Sequence, residues 1–253
     1  MGDTVLYEVR DGVARVTLNR PERRNAINPA MRDELAACAQ RIDEAAEVRV
    51  MVLTGAGTAF CSGMDLRAFS EGERSRSGPG GTAFPTLPST KPAIAAVNGP
   101  AVAGGFELVL GCDLAVAAEE AVFGLSEVQV GLFAAGGGVF RLPRVAGLRP
   151  AMEMLLTGQR IDARRALELG IVNHVVPAAD VVARAEEIAA RVAAAAPLGV
   201  AETLAMARRA LDLPEEDLWH LNRAAWSRVA SSEDAMEGAR AFVEKRPARW
   251  KGR

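Results

Sequence analysis

Two glutamates are the residues in this sequence best placed to move protons, because both border stretches rich in small residues. Glu107 follows Gly104-Gly105 at the start of an apolar run with helical spacing, and Glu127 precedes the small residues at 134–138. A pair of carboxylates can divide the roles of acid and base when their environments differ. A helix beginning at Gly104 would also present unpaired N–H groups, which can hold a developing oxyanion. The structural alternative is a close helix–strand crossing with Glu107 as a favourable first-turn acid and Glu127 in solvent.

A second group of backbone donors is predicted after Ser62-Gly63. Both this turn and Gly104 follow short apolar runs, residues 48–53 and 93–97, which are typical of buried strands. The later run ends at Asn98-Gly99-Pro100, a strong turn signal. The two groups of donors could therefore lie at one end of a sheet, although the spacing alone does not link them.

Other kinds of catalytic site are disfavoured by their spacing. His174 lies in an apolar run and His220 in a helical stretch, and no serine with nucleophile-elbow spacing accompanies them. Cys61 adjoins the predicted donors, but a Cys–His nucleophile needs a histidine that only the fold could supply. The Gly-x-Gly at 55–57 follows a strand, yet Phe60 occupies the third glycine position, which disfavours a dinucleotide site.

Composition points to one large domain. The chain has 253 residues, 49% of them apolar, and a formal net charge of −2, so no basic field suggests nucleic acid or an anionic membrane. Its cysteines, Cys38, Cys61 and Cys112, are too widely spaced for a disulfide framework or a clustered metal site, which favours a reducing compartment. No secretory signal is recognisable, and no uncharged run reaches the ~18 residues needed to span a bilayer. We therefore expect a soluble cytoplasmic protein.

Strands and helices alternate over the first half of the chain. Residues 4–18 form two alternating runs around Asp11-Gly12, which predicts a β-hairpin. Asn28 and Pro29 suit the N-cap and first position of a helix. The apolar face of that helix is predicted to comprise Leu35, Ala39, Ile42 and Ala46. Further strands are predicted at 48–53, 93–97, 113–117 and 121–123.

The second half of the chain becomes helical. Residues 70–90, rich in Gly, Ser, Pro and charge, come before the central strand and predict a mobile loop, either an inert insertion or a cover for a pocket. Helical stretches follow at 151–156, 162–169, 178–196, 197–211, 215–229 and 233–242, with a strand-like run at 171–176. We expect an α/β core over residues 1–195 and a C-terminal helical part over 196–253.

Taken together, these residues resemble the enoyl-CoA hydratase/isomerase family, the crotonases, over nearly the whole chain. The similar segments are residues 18–28, 57–66, 91–107, 156–162, 170–172 and 242–247. The resemblance implies an α/β fold, a spiral of ββα units with a C-terminal helical part, assembled as a homotrimer or a dimer of trimers. It also implies a shared chemistry, in which two backbone N–H groups stabilise a thioester enolate.

The resemblance assigns this oxyanion hole to the N–H groups of Met64 and Gly104, in agreement with the argument from the start of the helix. In hydratases of the family, two glutamates hold and activate water, and the matching positions here are Glu107 and Glu127. Retention of both favours reversible addition of water to a trans-2-enoyl-CoA, giving a 3-hydroxyacyl-CoA. The alternatives are an enoyl-CoA isomerase or another reaction of the family, and a non-catalytic acyl-CoA-binding or RNA-binding member. The net charge argues against RNA.

CoA contacts are also implied by position, at Arg24, Ala26, Ser62, Asp65, Leu66, Phe242 and Lys245. The first two match positions at the CoA phosphates and adenine end, and the next three match the backbone of the adenine pocket. The last two match positions that reach CoA from the C-terminal part, often that of a neighbouring subunit. CoA belongs to the substrate, and no metal or separate cofactor is implied.

Two features depart from the family pattern or stay open. Ala134-Ala135 replaces the Pro-Gly that usually follows the second glutamate, which puts the position of water near Glu127 in question. The loop at 70–90 has no distinctive match, so the length of the acyl chain is open. The basic tail is either a solvated end or a contact for a phosphate-bearing ligand; its cations are Lys245, Arg246, Arg249, Lys251 and Arg253. The Ala-, Arg-, Gly- and Val-rich composition suggests a GC-rich bacterial genome.

Overall fold

The computed structural model describes residues 3–72, 87 and 90–253, so most of the loop predicted at 70–90 lies outside the described residues. The strands are β1 (Val5–Arg10), β2 (Val13–Leu18), β3 (Val50–Gly55), β4 (Ala93–Val97), β5 (Ala101–Val102), β6 (Leu114–Ala118), β7 (Val122–Gly124), β8 (Arg160–Asp162) and β9 (His174–Val176). The helices are α1 (Pro29–Glu44), α2 (Leu66–Ser70), α3 (Gly104–Gly111), α4 (Gly138–Ala146), α5 (Leu148–Thr157), α6 (Ala163–Glu168), α7 (Val181–Ala193), α8 (Pro197–Ala207), α9 (Glu215–Ala230) and α10 (Glu233–Glu244).

A six-stranded sheet forms the centre of the fold, with the strand order β1-β2-β3-β4-β6-β9. The first two strands are the predicted antiparallel hairpin, and every later neighbour pairs in parallel. All residues of β3 and β4 are buried. Burial on both faces explains why these strands read as continuous apolar runs rather than as alternating patterns. Because β3 and β4 are parallel neighbours, the segments that follow them leave the sheet at the same edge.

A second layer runs beside this sheet, and it explains the spiral. The short strands β5, β7 and β8 form a three-stranded sheet in that order. Two isolated parallel bridges, Ile27–Met64 and Cys61–Ala101, extend the same layer towards the N-terminus. The chain therefore alternates between a strand of the large sheet, a short extended segment of the second layer and a helix. In successive turns, Ile27, Met64 and Val102 lie shortly before α1, α2 and α3.

The first helix begins as the sequence predicts and ends earlier. The Asn28 Oδ1 accepts a hydrogen bond from the Met31 N–H at 2.9 Å, and Pro29 occupies the first position. The predicted face is buried at Leu35, Ala39 and Ile42, whereas the assignment of Ala46 to it is wrong. The helix ends at Glu44, and Ala46 is exposed beyond its C-terminus.

The predicted C-terminal helices are present with shifted ends. The stretch at 178–196 becomes a 3-10 turn followed by α7, which packs on β3, β4 and β6. The strand-like run at 171–176 pairs only over His174–Val176. Helix α4 was not predicted, because it begins in glycines and contains Pro143, both of which read as helix breakers.

The C-terminal part is tied to the core at several points. Arg208 donates two hydrogen bonds of 2.8 Å to the Asp113 carboxylate, and the Trp250 Nε1–H donates to the Ala194 carbonyl at 2.8 Å. The division at residue 195 falls between α7 and α8 and stays a prediction. In the described part of the chain no single helix is long and apolar enough to cross a membrane. Two consecutive helical segments, residues 178–193 and 197–207, are long and apolar enough only when they are taken together, and the angle between them is 111°.

Lys91 closes the C-terminus of α1, and its replacement should destabilise the fold. Its ammonium donates to the Ile42 carbonyl at 2.5 Å, an acceptor in the last turn that the helix end leaves unpaired. It also donates to the Ala45 carbonyl, which accepts from the Val48 N–H as well. We expect Lys91→Met to lower the free energy of unfolding by about 1–3 kcal/mol, because the partly buried Ile42 carbonyl loses its donor and the Ala45 carbonyl keeps only the Val48 N–H. Urea unfolding measures this change. The exposed Lys245→Met is the matched control, and equal stability of both variants would contradict the capping role.

Candidate active site

The segments that follow β3 and β4 run side by side at the edge of the sheet. The Phe60 and Cys61 N–H groups donate to the Pro100 carbonyl at 3.1 and 3.2 Å. The Val102 N–H in turn donates to the Cys61 carbonyl at 3.0 Å. This parallel path brings the two predicted donor turns together, after Gly63 in one segment and at Gly104 in the other.

Glycines allow the two segments to approach more closely than side chains permit. Gly63 has φ +89°, and a Cβ there would lie 2.7 Å from the Ala103 Cβ and 3.0 Å from the Gly104 nitrogen. A Cβ at Gly105 would lie only 2.2 Å from the Cys61 carbonyl oxygen. Met64 directly follows Gly63, so its amide lies beside that of Gly104.

A strained residue sets the start of α3. Ala103 has φ +49° and ψ −128°, a conformation that costs a non-glycine residue of order 1–3 kcal/mol. Its N–H donates to the Gly124 carbonyl at 2.8 Å, and its own carbonyl accepts from Phe106 and Glu107. The helix therefore begins abruptly at Gly104. Within the described residues, neither the Gly104 N–H nor the Met64 N–H has an acceptor, so both are available to a ligand.

Glu107 is a buried carboxylate with one oxygen in a hydrogen bond and the other without a hydrogen-bond partner among the described residues. Only 2% of the residue is exposed, and its Oε1 accepts a hydrogen bond of 2.8 Å from the Gly138 N–H at the start of α4. Its Oε2 has no partner within the described residues. Burial raises the pKa of Glu107 to about 7, and the charge of Glu127 adds to this rise. The amides of Gly138 and Gly136 and the charge of Arg141 act in the opposite direction.

Glu127 begins a 3-10 turn three residues after β7. Burial raises its pKa, and both of its carboxylate oxygens are buried with no partner in the part of the chain that is described. Strand β7 pairs with β5, which leads into α3, so the fold brings Glu127 towards Glu107. Buried polar atoms are nearly always hydrogen-bonded. Three unpartnered oxygens on two neighbouring carboxylates therefore mark a place where water or a ligand binds.

The turn between the second glutamate and α4 supports the first glutamate. A Cβ at Gly138 would lie 2.9 Å from the Ala134 Cβ and 3.0 Å from the Glu107 Oε1. Ala134 is buried, so the two alanines that replace Pro-Gly still allow a close turn onto Glu107. Arg141, which the sequence analysis did not single out, donates to the Gly136 carbonyl at 3.0 Å.

Most of the residues predicted to bind CoA lie together. The Ser62 N–H donates to the Arg24 carbonyl at 3.0 Å, and the bridge between Ile27 and Met64 continues the contact. Arg20 links the two segments, because its Nη1 donates to the Ala26 carbonyl at 2.6 Å and to Asp65 at 3.1 Å. The Asp65 carboxylate also caps α2, which starts at the half-exposed Leu66.

The remaining two predicted contacts lie far along the chain. Phe242 is 86% exposed near the end of α10, and Lys245 follows that helix in a left-handed conformation. Helix α10 packs against α9. Much of the basic tail is paired locally: Arg246 contacts Glu237 and Glu244, and both Lys251 and Arg253 contact Glu233.

The other candidate residues do not converge on this site. His174 lies on β9 and His220 on α9, where each contacts an arginine. The Cys61 thiol donates to the Asn25 carbonyl at 3.1 Å, and burial raises its pKa to about 12, so it stays protonated and is no nucleophile. No cluster of three His, Cys, Asp or Glu in the described ranges could hold a metal ion.

Comparisons with known proteins identify the fold. The family model for enoyl-CoA hydratase/isomerase matches residues 8–253. Enoyl-CoA hydratase EchA19 of Mycobacterium tuberculosis is 38% identical over 260 residues, covering 100% of this chain and 98% of that protein. Carnitinyl-CoA dehydratase of Escherichia coli K12 is 41% identical over 260 residues, covering 98% of each. The crystal structure of an enoyl-CoA hydratase from M. tuberculosis H37Rv has a TM-score of 0.95 at 39% identity, with complete coverage of both chains. The expected α/β spiral with C-terminal helices is confirmed.

The burial of Glu107 should make stability depend on pH. Because its pKa in the folded chain is raised from 4.5 to about 7, ionisation is disfavoured on folding, and its contribution to stability falls as pH rises through this interval. Glu107→Gln keeps an acceptor for the Gly138 N–H and removes the charge. We expect it to raise the free energy of unfolding by about 1–3 kcal/mol above pH 7 and by little below pH 4.5.

Denaturant unfolding from pH 4 to 8 measures this difference, with Glu216→Gln on the exposed face of α9 as the control. A gain that is independent of pH, or one matched by the control, would contradict a buried and disfavoured charge at Glu107.

Proposed function

This chain belongs to the enoyl-CoA hydratase/isomerase family, and we propose that it catalyses the reversible syn addition of water to a trans-2-enoyl-CoA, giving a 3-hydroxyacyl-CoA. One observation carries the proposal: three unpartnered oxygens on the buried pair Glu107 and Glu127 lie in the same region of the fold as two unpartnered amides. This set of groups matches what hydration needs, two acceptors for a water molecule and two donors for a thioester oxygen.

The amides of Met64 and Gly104 bind the thioester oxygen. Their N–H groups have no acceptor within the described residues, and the second also lies at the positive end of α3. As water adds, negative charge moves from the double bond to the thioester oxygen, giving an enolate. Preorganised donors at that oxygen lower the barrier, each by several kcal/mol.

The two glutamates move the protons. Water donates hydrogen bonds to carboxylate oxygens of the pair, its oxygen bonds to C3, and the proton it releases passes to one carboxylate. The other glutamate, in its acid form, delivers a proton to C2 as the enolate collapses to the thioester. This division requires one ionised and one protonated carboxyl group. Burial raises both pKa values, which favours a pair that retains one proton near neutral pH.

Binding of the CoA part completes the proposal. Arg24 and Ala26 contact the phosphates and adenine end, while the backbone at Ser62, Asp65 and Leu66 lines the adenine pocket. No metal or further cofactor takes part, and we propose that the enzyme works in the cytoplasm.

Phe242 and Lys245 serve the site of a neighbouring subunit in a homotrimer or a dimer of trimers. An oligomer is supported by exposed apolar residues near α4 and α5, namely Phe133, Phe140, Leu148 and Leu156.

Hydration should require both carboxylates. We expect turnover of one or more trans-2-enoyl-CoA thioesters from a short- to long-chain panel, and a loss of about 10²–10⁴-fold in kcat for Glu127→Gln with CoA thioester binding retained. Absorbance of the conjugated thioester measures the reaction. The panel includes carnitinyl-CoA in the dehydration direction, because similar proteins bear that name. Binding of every thioester without hydration would overturn the proposal; turnover of 3-enoyl-CoA that survives loss of one glutamate would indicate an isomerase.

The assembly should present Phe242 to CoA. We expect Phe242→Ala to raise KM about 10-fold with little change in kcat, because a buried aromatic contact with bound CoA is lost. Val243→Ala is a matched control, since that neighbour is 80% exposed. Steady-state kinetics separates the two parameters, and an unchanged KM in Phe242→Ala would place this side chain outside the CoA site.

A further inference from the structure

Asn25 joins the CoA-binding segment to the segment that carries the Met64 amide. We propose that it is a positioning residue for the oxyanion hole, which holds residues 56–64 so that the Met64 N–H stays directed at the thioester oxygen. The inference rests on the proposed function and extends it to a residue that touches neither the substrate nor the reacting atoms.

The NH₂ group of the Asn25 side chain donates hydrogen bonds to the loop after β3. The residue is completely buried. Its Nδ2 lies 2.9 Å from the Ala56 carbonyl oxygen, 2.8 Å from that of Ala59 and 3.1 Å from that of Phe60. Its Oδ1 accepts from the Arg20 N–H at 2.9 Å. One side chain therefore fixes three carbonyl groups of a loop that has no regular structure of its own.

The backbone carbonyl groups of Arg24 and Asn25 also hold the segment that leads to Met64. Arg24 and Asn25 both have positive φ, of 49° and 55°, which turns their carbonyl groups towards the neighbouring segment. The Arg24 carbonyl accepts from the Ser62 N–H at 3.0 Å, and the Asn25 carbonyl accepts from the Cys61 thiol at 3.1 Å. Asparagine tolerates this left-handed conformation better than most residues, because its side chain can hydrogen-bond locally.

The pairing of Ile27 with Met64 leaves the Met64 N–H available to a ligand. The Ile27 N–H donates to the Gly63 carbonyl at 2.7 Å, and the Asp65 N–H donates to the Ile27 carbonyl at 3.0 Å. Met64 lies between these two bonds, and its own N–H points away from the bridge with no acceptor among the described residues. A shift of this segment by about 1 Å would misdirect the amide, and errors of that size reduce rates strongly.

Only an uncharged donor suits the position of Asn25. Three carbonyl oxygens converge on its Nδ2, so a carboxylate there would repel all of them, and an apolar side chain would leave buried acceptors unpaired. Asn25→Asp tests the repulsion at constant size. Asn25→Gly tolerates the positive φ and leaves room for water against the carbonyls, so it provides a second variant should the first fail to fold.

The experiment measures carbonyl polarisation separately from turnover. The probe is 4-dimethylaminocinnamoyl-CoA, whose absorption moves to longer wavelength when donors polarise its thioester carbonyl. We expect both Asn25 variants to bind the probe within about fivefold of the unmodified chain, with a smaller wavelength shift and a kcat for enoyl-CoA hydration reduced about 10- to 100-fold. Lys91→Met, whose effect on stability arises at α1, controls for loss of stability and should keep the full shift and kcat.

Each possible result of this experiment either supports or contradicts the positioning role of Asn25. An unchanged wavelength shift and kcat in a folded Asn25 variant would overturn the proposal, and so would an equal loss of both in Lys91→Met. Absence of any shift with the unmodified chain would overturn it too, because no polarising site would exist. If the unmodified chain shifts the probe but hydrates no enoyl-CoA, the proposed reaction fails, and the role of Asn25 is then judged by the wavelength shift alone.

Discussion

The close approach of two backbone segments is the constraint on which the rest of the site depends. A Cβ at Gly99 would lie 2.2 Å from the Thr58 carbonyl oxygen, and one at Gly105 would lie 2.2 Å from that of Cys61. No side chain fits at either point, so the chain after β3 can lie directly against the chain after β4. This contact brings the amides of Met64 and Gly104 to one place. The repeating ββα geometry makes it possible, because Met64 lies just before α2 and Gly104 begins α3 in consecutive turns of the spiral.

Electrostatics gives the same region its chemical character. Two carboxylates are buried, and three of their four oxygens have no hydrogen-bond partner among the described residues. Such an arrangement opposes ionisation and lowers stability at neutral pH, which is the usual consequence of a site prepared for a ligand rather than for folding. The strained Ala103 is a second example, since the unfavourable conformation sets the abrupt start of α3. Ala103 and Glu107 both lie within one helical turn of Gly104 at the start of α3.

Features of the sequence that depend on local patterns were predictable. The hairpin around Asp11-Gly12, the cap at Asn28 and the buried strand at 93–97 follow from turn chemistry, capping and apolar runs. The start of a helix at Gly104, with Glu107 in its first turn, also follows from such a pattern. The sequence also singled out Glu127, and the resemblance to the family assigned the second donor to Met64. No local pattern reveals that these two residues lie near Glu107 and Gly104.

What the sequence by itself determined is the set of elements and the chemistry each could offer. Only the tertiary structure decided which of them meet: that Gly138 supports Glu107, that Asn25 fixes the loop before Met64, and that α4 forms in spite of its glycines and Pro143. The reason is physical. Capping and periodicity act between residues a few positions apart. The contacts of Gly138 and Asn25 join residues 31 and 34 positions apart, and they depend on strand order, burial and the space that glycines leave.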